Sequence, residues 1–348
     1  MGQIGAPGLE APSFLPMHDV RWFAPNAFCA LPVPRLRDAG LRIAIDGDAP
    51  ARLTFLSDAT SLREAFSYAA RHRSSLIMNL WDVQPWQVTG GRPDHVLSVG
   101  GRLMVWPRLT KAYPGRRRYY SRVRYVARRA RAVWAPSCNS QNDIRRWFGV
   151  QSERVPFCFD SDRFNRAAGW RKPAGPPVVL SVSRLVPHKN HAAVIRAVAL
   201  LSAKPLVRIV GKGPEAAHLQ SLASQLGVDL QLDEGWLTDE QIVEAYRTAS
   251  VLVCPSRFEG LGVTPLQGVA IGMPTVASDI PTHREFVMGQ AALVPLDDDA
   301  AMAAAIDVAL RSEGTVQPGP THAVPELTIE ACAARFLPRL EELLRGAG

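Results

Sequence analysis

The chain has 348 residues, of which 47% are hydrophobic and 21% charged. That composition excludes a disordered or fibrous protein, and the length predicts two domains at roughly 100 to 200 residues each. A formal net charge of +8 predicts anionic partners, whether nucleic acid, an anionic membrane surface or phosphorylated small molecules.

Residues 1–18 read as a loose leader, because no basic stretch followed by an apolar core marks a signal peptide. No apolar run approaches the ~20 residues of a membrane-spanning helix. The five cysteines, Cys29, Cys138, Cys158, Cys254 and Cys332, are scattered and form no CxxC pair, which points to a reduced, cytoplasmic setting.

From residue 19 onward, short apolar strands alternate with longer helical stretches, the pattern of parallel α/β layers. Strands are predicted at 19–24 (DVRWFA), 41–46 (LRIAID), 52–56 (RLTFL) and 75–81 (SLIMNLW). Between the last two, residues 61–73 have helical spacing, with Leu62, Phe66 and Ala69 or Ala70 on one face. A basic helix running into a strand follows, ending near Ser137. Lys111, Arg116, Arg117, Arg118, Arg122, Arg124, Arg128, Arg129 and Arg131 are interleaved there with Tyr113, Tyr119, Tyr120 and Tyr125. Such a stretch suits an anionic membrane surface, while a solvated helix face is the plain alternative. No nucleic-acid motif accompanies it, and no nucleic-acid partner is expected.

The turn-rich segment 156–177 divides the chain. The expected organisation is an N-terminal domain over 19–160, a linker over 161–177, a second domain over 178–327, and an amphipathic C-terminal helix over 328–348. In the second half, 178–183, 206–211 and 250–255 read as buried strands. Thr238 with Gln241 and Thr264 with Gln267 each have the spacing of a capping box, and Pro265 would occupy the first helical position. Gly272 and Pro274 end that helix after about two turns.

Charged residues and glycines collect where strands meet helices. After the strand that ends at Pro255, a loop carries Glu259, Gly260 and Gly262. The following helix start offers unpaired N–H groups to an anion, although an ordinary turn with nothing bound explains this stretch equally well. Arg184 and Lys189 lie between the strand 178–183 and a helix that Asn190 is placed to cap. Cations at the C-terminal end of a parallel strand could neutralise a diphosphate. The turn Gly211-Lys212-Gly213-Pro214 follows a strand in the same way.

The segments SRLVPHKN, VGKGP, Gly235-Trp236-Leu237 and SRFEGLGVTPLQG, followed by GMPTVASD, together resemble the retaining glycosyltransferases of family four, which have the GT-B fold of two Rossmann-like domains facing a cleft. The ordered motifs span roughly residues 131 to 340. The resemblance implies that Arg184 and Lys189 bind a diphosphate and that Glu259 holds hydroxyls of a donor sugar. It further implies that backbone N–H groups of Gly260, Leu261, Gly262, Val263 and Thr264 meet sugar and phosphate, and that Gly211, Trp236 and Leu237 line the nucleotide side. The donor would be a GDP- or UDP-linked hexose, with no further cofactor and no metal. The acceptor would be a glycan or a lipid-diphosphate-linked chain, used peripherally at the inner face of a membrane.

Two positions depart from the family pattern. Gln267 stands where the family's second glutamate grips the ribose hydroxyls; an amide can accept and donate, but without a carboxylate's strength. Trp81 and Asp82 align with the family's His-Asp pair, so the histidine is absent and Asp82 remains as a catalytic candidate. Three Asp-x-Asp sequences, at 46–48, 160–162 and 297–299, read as turns rather than metal sites. A binding scaffold without turnover and a nucleotide-sugar epimerase of the same shape stay open as alternatives. A dehydrogenase is disfavoured because no GxGxxG follows a strand.

Overall fold

The computed structural model describes residues 17–24, 26–45, 47–81, 114–160, 170–235, 237–312 and 325–346. Apolar runs too short for a helix become parallel strands, and the central ones, such as Val251–Cys254 and Thr275–Ser278, are buried on both faces, as expected where helices cover a sheet. The first sheet contains β1 (His18–Phe23), β2 (Ile43–Ala44), β3 (Ala51–Leu56), β4 (Ser75–Asn79), β5 (Ala132–Ala135) and β6 (Glu153–Arg154). Its strands are all parallel, in the order β2-β1-β3-β4-β5-β6. The strand expected over 41–46 pairs only at Ile43 and Ala44, because the chain turns into a Gly47-containing bend.

The second sheet contains β7 (Val178–Val182), β8 (Leu206–Gly211), β9 (Leu230–Glu234), β10 (Val251–Cys254), β11 (Thr275–Ser278) and β12 (Ala292–Val294). It too is parallel, in the order β12-β11-β10-β7-β8-β9. Strand order reverses between β1 and β3 in the first sheet and between β7 and β10 in the second. Crevices at the carboxyl ends of such neighbouring strands are where open α/β sheets receive ligands.

The core of the first sheet is aromatic. Trp22 stacks on Phe55 with ring centroids 4.0 Å apart, and Phe336 lies 5.0 Å from Trp134 and 5.2 Å from Phe157. Phe336 belongs to the helix Ile329–Arg345, which buries Cys332, Ala333, Phe336, Leu340 and Leu344 along one face. The helical period thus sends the C-terminal segment onto the first sheet, and Arg52 donates to the Leu344 carbonyl at 2.6 Å. Arg154 extends the connection by bridging Glu285 at 2.7 Å and Glu326 at 2.9 Å. The same apolar cluster continues into Leu261, Leu266, Val269, Phe286 and Val287 of the second half.

In the helix Leu62–Arg71, Leu62, Ala65, Tyr68 and Ala69 are buried. Phe66, expected on that inward face, lies at its margin and meets Tyr125 edge-on at 6.3 Å. Among the described residues no helix is long and apolar enough to cross a membrane.

Candidate active site at the strand-order reversal

The loops leaving β7 and β10 are adjacent because these two strands pair directly. After β7 come Ser183 and Arg184, a 3-10 turn over Pro187–Lys189, and then the helix His191–Ala199. After β10 comes the loop with Glu259, then the helix Val263–Ala270. Two hydrogen bonds hold the loops together: Arg257 N donates to His188 O at 2.8 Å, and the Asn190 side-chain amide Nδ2 donates to Pro255 O at 3.3 Å. Asn190 adopts the left-handed conformation and makes no side-chain cap, so the expected capping role is corrected to that of a loop tie.

Across this junction Lys189 Nζ lies 2.6 Å from Glu259 Oε1. Burial alone would raise the Glu259 pKa, but Lys189, His283 and Ser256 together hold it down at about 2. The carboxylate therefore stays ionised through the neutral range. Thr282 Oγ1 donates to Glu259 O at 2.7 Å, which fixes the loop from behind. His283 Nδ1 lies 2.8 Å from Ser278 O, and burial lowers the ring's pKa. Nδ1 therefore donates to that carbonyl, and the buried Nε2 has no hydrogen-bond partner among the described residues.

Glycines shape the floor. Gly262 sits at φ 74°, and a Cβ there would come within 3.2 Å of the His283 ring. At Gly211 a Cβ would overlap the Ser183 carbonyl oxygen, and at Gly213 the Leu185 carbonyl oxygen. The loops after β7 and β8 therefore pack backbone against backbone, an approach that only residues without a side chain allow at these two positions. Thr264 Oγ1 donates to Val182 O at 3.1 Å and ties the helix start to the end of β7.

That last bond overturns the capping box expected at Thr264. The helix starts two residues earlier, with left-handed Gly262 as its N-cap and no side-chain cap, and Pro265 falls within the first turn. Gln267 instead accepts a 2.9 Å hydrogen bond from the Tyr246 hydroxyl. The box expected at Thr238 and Gln241 is present with both of its bonds.

Lys189, Glu259, Gly260, Leu261, Gly262, Val263 and Thr264 thus converge at the β7–β10 reversal, with Arg184 exposed on the same loop. Gly211 ends the neighbouring β8, and Leu237 packs against the cluster that includes Tyr246. Asp82 and Trp236 lie outside the described residues. Trp81 is a packing residue: its indole donates to Ser57 O at 2.7 Å and its ring lies 5.3 Å from Phe157. Ser140 links both halves at the cleft, donating to Trp81 O at 3.1 Å and to Gly260 O at 3.5 Å.

Thr282, His283 and Tyr246 escaped the sequence reading, since a threonine or tyrosine on a helix carries no signal of its distant partner. Four of the Asp-x-Asp aspartates have other work. Asp48 pairs with Arg71 at 3.0 Å, Asp297 with Arg257, and Asp299 with Arg196 at 2.6 Å. Asp298 caps the helix Asp299–Arg311. Among the described residues no group of three or more acidic, histidine or cysteine side chains could hold a metal ion.

The basic stretch forms the helix Pro114–Ala127. Arg118 and Arg122 are exposed, and Arg129 lies 3.6 Å over the Tyr125 ring. Arg124, half-buried, and Arg128, exposed, are both tied down, donating to Phe148 O at 3.3 and 3.2 Å. The free basic face is narrower than the sequence suggests; the side chains of Arg116 and Arg117 lie outside the described residues.

Residues 162–318 match the family model described as "Glycosyl transferases group 1". The chain is 27% identical over 190 residues to the O-antigen chain mannosyltransferase RfbU of Salmonella typhimurium, covering 53% of this chain and 52% of that one. It is 32% identical over 206 residues to the GDP-mannose-dependent alpha-(1-6)-phosphatidylinositol monomannoside mannosyltransferase of Mycolicibacterium smegmatis, covering 52% and 51%. The chain therefore spans about half the length of these curated relatives. Among solved structures, sucrose-phosphate synthase from Thermosynechococcus elongatus superposes with a TM-score of 0.66 at 18% identity, covering 95% of this chain and 100% of that one. Anabaena Alr3699/HepE, in complex with UDP and glucose, superposes with a TM-score of 0.67 at 14% identity, covering 93% and 99%. At these identities the likeness concerns the fold, and the fold is GT-B.

Proposed function

We propose that this chain, whose residues 162–318 match the group 1 glycosyl transferase model, moves a hexose of mannose or glucose type from a GDP- or UDP-linked donor to a glycan or lipid-linked acceptor, with retention of anomeric configuration. The observation that carries the reading is the Lys189–Glu259 pair at the mouth of a glycine-floored loop and a helix N-terminus. Cation, carboxylate and free N–H groups are thereby gathered where a sugar diphosphate needs all three. GDP-mannose is the first donor to test, because one similar enzyme carries that dependence in its name.

In this reading Lys189, Arg184 and the helix beginning at Val263 stabilise charge growing on the leaving diphosphate. Glu259 accepts hydrogen bonds from donor-sugar hydroxyls and fixes the sugar. The sugar C1–O bond to the diphosphate breaks while a bond from C1 to the acceptor oxygen forms on the same face. The acceptor's proton passes to a phosphate oxygen of the departing diphosphate. Asp48, Asp297 and Asp299 are held by arginines and Asp298 caps a helix, and the reaction is proposed to run without a metal. The basic helix Pro114–Ala127 would bring the chain to an anionic membrane carrying the acceptor.

The test is a thermal-shift titration with UDP, GDP and ADP, with EDTA and then with magnesium, followed by transfer assays with the matching nucleotide sugars. A ligand at a hundred times its dissociation constant adds about 2.7 kcal/mol to native stability. Selective stabilisation by UDP or GDP that survives EDTA, followed by turnover, is expected. Stabilisation without turnover favours a non-catalytic scaffold, and no stabilisation by any nucleotide overturns the reading.

A further inference from the structure

The helices Leu62–Arg71 and Pro114–Ala127 share one apolar cluster beneath them, through Leu62, Ala65, Tyr120, Val123 and Val126. Above that cluster their flanks leave a cavity of about 750 Å³, within the roughly 300 to 1,000 Å³ of small-molecule sites. Helical spacing shapes it. Leu62 and Phe66 stand four residues apart on one wall, and Tyr119, Arg122 and Val126 follow at intervals of three and four on the other, so each helix turns one stripe to its neighbour. Phe66 and Tyr125 meet edge-on at 6.3 Å, while the short side chains of Ala59, Ser67 and Ser121 leave the space beside them unfilled. The Tyr125 ring stays 50% exposed even with Arg129 over it.

Each wall also carries one exposed arginine, Arg63 on the first helix and Arg122 on the second. Neither has an ion pair or hydrogen bond among the described residues, and among those residues no aspartate or glutamate lines the cavity. Of the acids beside it in sequence, Asp58 accepts from Thr60 N at 2.8 Å, and Glu64 lines a separate cavity next to Arg71. Two planar cationic forks thus border an apolar furrow without a counter-ion. A phosphate suits the forks, and burial of a hydrocarbon chain suits the furrow. We infer that this furrow is a binding site for one molecule of a phosphate-headed lipid, its phosphate held between Arg63 and Arg122 and its chain laid against Leu62, Phe66 and Tyr125. Such a site is discrete and saturable, unlike the attraction of a whole basic helix to an anionic surface. No residue of the loops after β7 and β10 lines it, so it stands or falls independently of the proposed transfer.

Calorimetric titration of the full chain tests this with dodecyl phosphate below its micelle concentration. Inorganic phosphate supplies the head without the tail, and dodecyl maltoside the same tail without the charge. Dodecyl phosphate should saturate at one molecule per chain and bind at least about tenfold more tightly than either. Arg63→Gln and Arg122→Gln should each weaken it about tenfold, the worth of one charge-assisted contact. Ser121→Trp fills the furrow and leaves every charge in place, so it should abolish binding; Ser67→Phe is a second filling variant should the first fail to fold. Arg145→Gln removes an exposed charge outside the furrow and should change nothing. Equal affinity for inorganic phosphate, an equal loss in Arg145→Gln, or full binding in the filled variants overturns the lipid site. A wild-type dimer that Ser121→Trp makes monomeric and that dodecyl phosphate leaves intact would overturn it too, in favour of a second copy of the chain on this face.

Discussion

Lys189 and Glu259 stand 70 residues apart in the chain and meet at 2.6 Å, their side chains only 14% and 15% exposed. Each belongs to the loop after a different strand, and the direct pairing of β7 with β10 brings the loops together. In so little water each charge depends on the other, because a buried ion without its partner keeps the full cost of desolvation.

Replacing the cation should expose that dependence. Lys189→Met is expected to lower stability by about 3 to 5 kcal/mol at neutral pH. In the folded wild type the Glu259 pKa lies at about 2 against an ordinary 4.5. Its contribution is therefore complete above pH 4.5 and is lost as pH falls toward 2. In Lys189→Met the loss should begin at higher pH. Urea denaturation across a pH series checks both points, and identical curves for the two proteins would refute the coupling.

A second acid response belongs to histidines. His188 stacks on Phe258 at 4.4 Å, and His191 lies between Ser181 and Ser183 at 3.0 and 2.8 Å. Burial, with Lys189 nearby, depresses His188 to about 3; burial depresses His191 to about 4, against an ordinary 6.5. Their folded forms stay neutral where the unfolded chain binds protons. Stability should thus be full above pH 6.5 and decline below it, by up to ~1.4 kcal/mol per pH unit for each histidine. Replacement of His188 by Gln should flatten the slope between pH 6.5 and 4.5.

For the chemistry, Glu259→Ala should reduce transfer by about a hundredfold or more while nucleoside diphosphate binding changes only a few-fold, since the carboxylate is assigned to the sugar and not to the nucleotide. Steady-state transfer beside calorimetric binding of the nucleotide separates the two. Retained turnover would remove Glu259 from the reacting end of the site.

In the core of the first sheet, Phe336→Ala removes a ring that lies against Trp22, Phe55, Trp134 and Phe157. A loss of about 3 to 5 kcal/mol is expected, as for other buried aromatic truncations. The helix Ile329–Arg345 should also become a preferred site of limited proteolysis. Cleavage at the wild-type rate would mean that this helix is held chiefly by its polar ties, such as Arg154 to Glu326 and Arg335 to Pro156 O at 2.7 Å.

Reversal of the exposed charges Arg118 and Arg122 to Glu should weaken co-sedimentation with vesicles rich in anionic lipid, by roughly 1 kcal/mol or more for each residue near the surface. The same change at Arg124 would also disturb its bond to Phe148 O, so it is a poorer probe. Binding that ignores both salt and anionic lipid content would exclude this face as a membrane dock.

The sequence by itself determined the parallel α/β class, most of the buried strands and the loops that carry Arg184, Lys189 and Glu259. Apolar runs bounded by glycine, proline and capping residues are local signals, readable without knowing what lies beyond them. Two identical spacings mark where that reading ends. Thr238 and Gln241 close a capping box in exposed surroundings, where nothing competes for them. Thr264 and Gln267 have the same spacing, but the Val182 carbonyl takes the threonine and the Tyr246 hydroxyl takes the glutamine. Only the tertiary structure decided that outcome, along with the tie of Arg124 and Arg128 to Phe148 O and the support of Glu259 by Thr282. A polar side chain in a folded interior bonds to the partner that packing delivers, and that partner can come from anywhere in the chain.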